Sequence, residues 1–182
     1  MSEHKDNRVV VIIGPPASGK GVQSNLLARS LRGTHISSGN ALRALDDPYI
    51  KSLMLKGDNV PSKYFEQVMS NALANAPKDQ PLILDGVTRK PNEIPWLIKQ
   101  LSINNRIIHK VISINIDESI ARQRSLARNR LDDTDKIFAH RWNVWTRNIT
   151  AISNIYNSMG VFSIVDGSGS KNEVKSRIIE LL

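Results

Sequence analysis

Hydrophobic residues fall along this chain in two rhythms. A continuous, β-branched run occurs at Val9-Val10-Val11-Ile12-Ile13, a short apolar one at Pro81-Leu82-Ile83-Leu84, and further strand-like stretches from His109 to Ile116, over 161–165 and near 34–36. Such runs predict strands buried on both faces, as in a parallel sheet. Between them the apolar positions recur every three or four residues. Val22, Leu26, Leu27 and Leu31 predict a helix over 21–32 that Gly33 stops, and Phe65, Val68, Met69, Ala72 and Leu73 predict another that Ser62 can cap. The spacing also predicts helices over 93–103 and 171–182. A long one runs from about Thr134 to Met159, with the stripe Trp142, Trp145, Ile149, Ile152 and Tyr156 read as core. A serine at 37–38 can cap a helix beginning near Asn40. Asp46-Asp47-Pro48 breaks that helix and starts one reaching about Lys56, Gly57-Asp58 turns the chain, and Asp117 can cap the helix beyond it. Strands alternating with helices predict an α/β fold: a parallel sheet with helices on both faces.

Composition narrows this picture only at a few points. A chain of 182 residues with 40% apolar content suits a single domain with a substantial core. No apolar run approaches the length of a membrane span, and the charged start Met1 to Asn7 has no apolar signal region. Without cysteine there is no disulfide, thiolate zinc site or thiol nucleophile, so no zinc is expected and a cytoplasmic location is. The formal charge of +8 points to anionic partners. Nucleic acid is not expected among them, because no aromatic interleaving or reading element accompanies the charge. No membrane partner is expected, and a monomer is the default.

The candidate chemistry gathers where strands end. Gly14-Pro15-Pro16-Ala17-Ser18-Gly19-Lys20-Gly21 follows the first strand and opens the first helix. In that setting the glycines turn backbone N–H groups around a phosphate, and Lys20 adds a mobile charge. Asp85 closes a second strand, and in such sheets ligands gather beyond the carboxyl ends of the strands. Its carboxylate suits a hard cation such as Mg²⁺ held through water. Arg122, Arg124, Arg128 and Arg130 crowd into a short stretch, and Arg141 begins the next helix. Guanidinium forks match phosphate oxygens and keep their charge.

On these residues the chain resembles adenylate kinase and the wider nucleoside monophosphate kinase family, over about Val9 to Leu182. The resemblance implies a three-layer P-loop NTPase fold with a parallel five-stranded sheet. Its core would cover 8–36, 76–127 and 134–182, with a helical monophosphate-binding segment at 37–75 and a short lid at 128–133. It implies that Gly14, Pro15, Pro16, Ala17, Ser18, Gly19, Lys20, Gly21 and Val22 hold ATP, with Arg124 against its adenine. Ile36-Ser37-Ser38-Gly39-Asn40-Ala41-Leu42-Arg43 and Leu84-Asp85-Gly86-Val87-Thr88-Arg89 are similar to the family's acceptor motifs. They would bring Ser38, Gly39, Arg43, Val60, Gly86, Arg89 and Glu93 to the monophosphate. Arg128, Arg130 and Arg141 would surround the transferred phosphoryl with Lys20 and Arg89, while Asp132 and Asp133 hold the arginines.

Several positions depart from the family pattern. Val22 stands for a threonine, Ala17 for a glycine, Val87-Thr88 for an aromatic-proline pair, and Asp58 for a basic residue. Ala17 is acceptable if its backbone does not need positive φ. Glu93 aligns with the glutamine that reads adenine. A carboxylate only accepts hydrogen bonds and suits guanine N1–H and N2–H₂, whereas a one-residue slip to Asn92 restores adenine. The expected function is reversible transfer of the γ-phosphoryl of Mg·ATP to a nucleoside monophosphate, AMP first. The alternatives are a kinase for GMP, CMP, UMP or a small acceptor, and a nucleotide-binding regulator with little turnover.

Overall fold

The computed structural model describes residues 6–128 and 133–182. Its elements in chain order are β1 (Arg8–Ile13), α1 (Lys20–Leu31), β2 (Thr34–Ser37), α2 (Ser38–Arg43), α3 (Pro48–Lys56), α4 (Ser62–Ala74) and β3 (Leu82–Asp85). Then come α5 (Glu93–Ile103), β4 (Ile107–Asn115), α6 (Glu118–Ala127), α7 (Asp135–Ser158), β5 (Phe162–Asp166) and α8 (Lys171–Ile179). The five strands form one parallel sheet in the order β2-β3-β1-β4-β5. Three layers result: α1 and α8 cover one face, and α4, α5 and α7 the other.

Alternation within the apolar runs explains why both faces are buried. Val9, Val11 and Ile13 point to the α4, α5 and α7 side, where Met69, Leu97, Ile152 and Tyr156 meet them. Val10 and Ile12 point the other way, onto Leu27, Ala28, Val174 and Ile178. A strand that is apolar at every position is what a two-sided sheet requires. A third cluster, Ile116, Ala121 and Phe138, joins α6 to α7.

Four local expectations need correction. Val22 is not core: α1 buries Gln23, Ser24, Leu27 and Ala28, and Val22 is 43% exposed. Ser62 is the first residue of α4 and caps nothing, since Pro61 holds the cap position. Asp117 stands at the N-cap of α6 without a side-chain hydrogen bond there. Trp142 and Trp145 are half-buried, and Phe138 is the fully enclosed aromatic of the first turns of α7. By contrast, Ser37 caps α2 and Asp47 caps α3 through its carboxylate, with Pro48 in the first turn. Three short helices, α2 to α4, thus stand between β2 and β3 at the carboxyl end of the sheet.

Candidate active site

The loop between β1 and α1 forms one end of a cleft. Gly19, in the left-handed region, is the N-cap of α1 and offers no side chain to the first helical N–H groups. Those donors and the positive end of the helix therefore face the cleft. Lys20 Nζ donates to the carbonyls of Gly14 (2.8 Å) and Pro15 (2.6 Å), bending back over its own loop. Its enclosure pushes the ammonium pKa down to about 8, and nearby Arg89 and Arg128 act in the same direction against Asp85. Ala17 has φ +58°, so this position does use the left-handed region, and the loop carries a strained alanine where the sequence reading allowed a relaxed one. Ser18 is buried with its hydroxyl unpartnered.

This loop is wedged between distant parts of the chain. A methyl group on Gly14 would lie 2.7 Å from the carbonyl oxygen of Ile114. One on Gly167, past the end of β5, would lie 2.5 Å from the Ile114 side chain. Gly167 N–H donates to Asn115 O, and Arg124 Nη1 donates to Gly167 O at 3.2 Å.

At the other end, α2 and the loop after β3 meet. Ser38 Oγ donates to Gly86 O (2.7 Å), and Arg89 Nε donates to the same carbonyl (3.2 Å). The remaining guanidinium nitrogens of Arg89 are walled by the cleft yet open to its solvent. Burial lowers the pKa of Arg89, against Asp85 and Glu93. Arg43 Nη2 donates to Asn40 Oδ1 at 2.8 Å. Glu93 Oε2 accepts from the backbone N–H of Arg89 (2.8 Å) and Lys90 (3.4 Å), and burial raises its pKa. Asp85 is buried at the floor. Burial opposes its ionisation, but His35, Lys20 and Arg89 outweigh it and hold the carboxyl below the usual range. His35 Nε2 lies 3.8 Å from Asp85 Oδ2, a contact longer than a hydrogen bond.

Between the two ends stand the arginines. Arg128 donates from Nε (2.8 Å) and Nη2 (2.5 Å) to the buried Asp133 carboxylate, which also accepts from Ser125. Arg141 Nη2 donates to Met54 O (2.9 Å), and His140 Nε2 lies 3.3 Å from Asp58 Oδ1, so α7 grips the end of α3. The cleft has a volume of about 1130 Å³. It is lined by Gly14, Pro16, Ala17, Ser18, Gly19, Lys20, Gly21, Val22, Ser38, Gly39, Arg43, Val60, Asp85, Gly86, Arg89, Glu93, Arg124, Arg128 and Arg141. Pro15 lines a neighbouring pocket, and Asp133 acts behind Arg128. Arg130 and Asp132 lie outside the described residues. Arg122 is not part of the cleft; it pairs with Glu118 and Asp135 on the surface.

Sequence reasoning missed several lining residues: His35, Met54, Phe65, Trp145 and the segment Gly167 to Lys171. The last had a usable signal, because Asp166-Gly167-Ser168-Gly169 is another glycine-bearing turn just past a strand end. Asp85 is the carboxylate that fits a hard cation, being ionised, buried and single. Among the described residues no group of three or more His, Cys, Asp or Glu could hold a metal. A cation here would thus share its oxygens with a phosphate and water, as magnesium does.

A parallel sheet with a phosphate-loop lysine, a strand-end aspartate and converging arginines defines a P-loop phosphotransferase. A family profile described as adenylate kinase matches residues 12–161. The adenylate kinase of Helicobacter hepaticus is 32% identical over 181 residues, covering 94% of this chain and 95% of that one. That of Helicobacter pylori strain 26695 is 29% identical, covering 96% of each. The adenylate kinase of Nocardia farcinica is 30% identical over 95% of this chain and 98% of its own. The chain belongs to the adenylate kinase family. Among the described residues no helix is long and apolar enough to cross a membrane.

Proposed function

We propose that this protein transfers the γ-phosphoryl of Mg·ATP reversibly to AMP. The observation that carries this reading is one continuous cleft with a helix N-terminus and Lys20 at one end and Ser38, Gly86 and Arg89 at the other. Arg128 and Arg141 stand between them. Two anionic ligands laid end to end would meet cations at every exposed oxygen. The loop N–H groups and Lys20 hold the donor phosphates, and Arg124 and the Gly167 turn bound the donor base. Arg43, from the segment 37–75, and Arg89, past the end of β3, hold the acceptor phosphate. Arg128 and Arg141 neutralise charge on the transferring group, a role worth roughly 10³–10⁵-fold for an arginine in phosphoryl transfer. Asp85 would hold magnesium through water, and the ion would neutralise the donor phosphates. No general base is needed, because the acceptor oxygen is already anionic. The contacts from Arg141 to Met54 and from His140 to Asp58 support a cleft that closes against water.

A coupled assay with ATP and AMP, GMP, CMP or UMP in separate reactions tests this reading. Turnover with AMP is expected, and turnover with none of the four overturns it. One observation favours a second acceptor: Glu93, with one oxygen tied to backbone N–H groups, presents only lone pairs, which suit guanine. The GMP arm of the same assay measures that preference. Arg89→Ala should raise KM for the monophosphate far more than KM for ATP.

A further inference from the structure

A second pocket, of about 350 Å³, lies behind the phosphate loop, between α7, the carboxyl end of β4 and the first half of β5. Its origin is legible along β4. The residues of that strand that face α7 are Val111, Ser113 and Asn115. Val111 fills the core beside Val9 and Val11, but the next two positions are small and polar. Opposite them α7 presents Trp142 and Trp145, then Ile149, and further along Ser153 and Asn157, and β5 adds Phe162. Ile164, also lining it, is 63% exposed, so the pocket opens to solvent.

The chemistry of this pocket is the opposite of the cleft's. No lining side chain carries a charge. Ser113 is 5% exposed, and its hydroxyl makes no hydrogen bond among the described residues. The amides of Asn115 and Asn157 are likewise unengaged among those residues. Thr146 and Ser153 donate their hydrogens to helix carbonyls (3.2 Å to Trp142 O and 2.9 Å to Thr150 O), leaving acceptor lone pairs. Aromatic walls with donors and acceptors and no charge suit a flat neutral ring with a polar edge. We propose that this pocket binds an uncharged planar nitrogen heterocycle of the nucleobase or nucleoside class. Its occupant touches Pro15, whose carbonyl accepts from Lys20, and Trp145, which lines both the pocket and the cleft. The proposal is independent of the reading of the cleft, because it concerns a separate volume and a ligand without phosphate.

The three tryptophans make the test direct. Trp142 lines only the small pocket, Trp145 lines both volumes, and Trp96 packs against Phe65 of the cleft wall. Adenine and caffeine, both neutral at pH near 7, are titrated into the full chain while the indole N–H resonances are followed. The expected result is a saturable shift of Trp142 and Trp145 with Trp96 unmoved. Ser113→Leu, which fills the space, should weaken the response at least roughly tenfold, and Ser113→Ala, which removes only the hydroxyl, by about three- to tenfold. Asn157→Leu, on the exposed side of α7, repeats the block where Ser113→Leu disturbs folding. A Trp142 resonance that stays still up to the solubility limit of both probes overturns the proposal. So does a shift of Trp142 that is the same in the wild type and in the filled variants.

Discussion

At the amino ends of the strands, Arg106 is 4% exposed and spends its guanidinium on backbone carbonyls: Asp6 (2.9 Å), Gln80 (2.6 Å) and Pro77. At the carboxyl ends, Arg89 is exposed to the cleft, with only its Nε engaged by a carbonyl and the rest facing solvent. Lys20 resembles Arg89, since its two partners are carbonyls of a loop it can swing away from. Neither end gives its cation a close carboxylate partner. The difference is where the acceptors lie and what surrounds the cation. Three carbonyls from separate segments make Arg106 a structural staple, tying the segment before β1 to the segments before β3 and β4. Arg89 and Lys20 line an open cleft and keep donors for an anion, at the cost of holding charge in a confined space.

Exchanging the two kinds of cation for apolar side chains should therefore have opposite effects. Lys20→Met is expected to lower kcat/KM by roughly 10²–10³-fold, the usual result of deleting one donor to a developing charge. Its melting temperature should hold or rise, because a confined charge is removed. Arg106→Met should do the reverse. Its folded fraction turns over normally, but unfolding free energy falls by about 3 kcal/mol as three carbonyls lose their donor and the staple between segments is cut. Chemical denaturation with activity measured alongside checks both, and a wild-type stability for Arg106→Met would break the contrast.

The pH dependence sharpens the same comparison. With a pKa of about 8, Lys20 is charged below that value and neutral above it. Donor binding needs the charge, so kcat/KM for ATP should fall above pH 8 by about tenfold per unit. Saturating ATP should delay the fall, because bound phosphate raises the lysine pKa. Stability has the opposite sign. The unfolded chain, with an ordinary lysine near 10.5, binds more protons than the folded one between 8 and 10.5. In that window Lys20 contributes a gain in stability as pH rises, and Lys20→Met should lose it. Melting curves of both proteins across the window provide the check. The smallest effect belongs to Ala17→Gly, which relieves a left-handed alanine and should add about 0.5–1 kcal/mol to stability, partly offset by chain entropy.

Much of this was readable from the sequence because the signals are local. The span 93–103 is α5 to the residue, and the phosphate loop sits where its glycines and the preceding strand put it. Helical spacing does not say which side of a helix meets the sheet. Val22 fits an apolar stripe but belongs to the first turn of α1, which lines the cleft. Nor does clustering in sequence mean convergence: Arg122 and Arg124 differ by two positions, enough rotation to send one to the surface and one to Gly167. The grip of α7 on α3 joins residues 87 positions apart and has no local trace. The backbone angle of Ala17 was a point where a family departure posed the question but the sequence could not answer it.

The tight seat of Gly14 and Gly167 against Ile114 bears on the order in which the chain assembles. The motif near the amino terminus acquires its shape from a strand a hundred residues later and from a turn fifty residues beyond that. A fragment ending before β5 would possess every residue of the phosphate motif but lack the Gly167 turn that helps to mould it. During synthesis, competence to grasp an anion should therefore arrive abruptly, once the turn after β5 has been made.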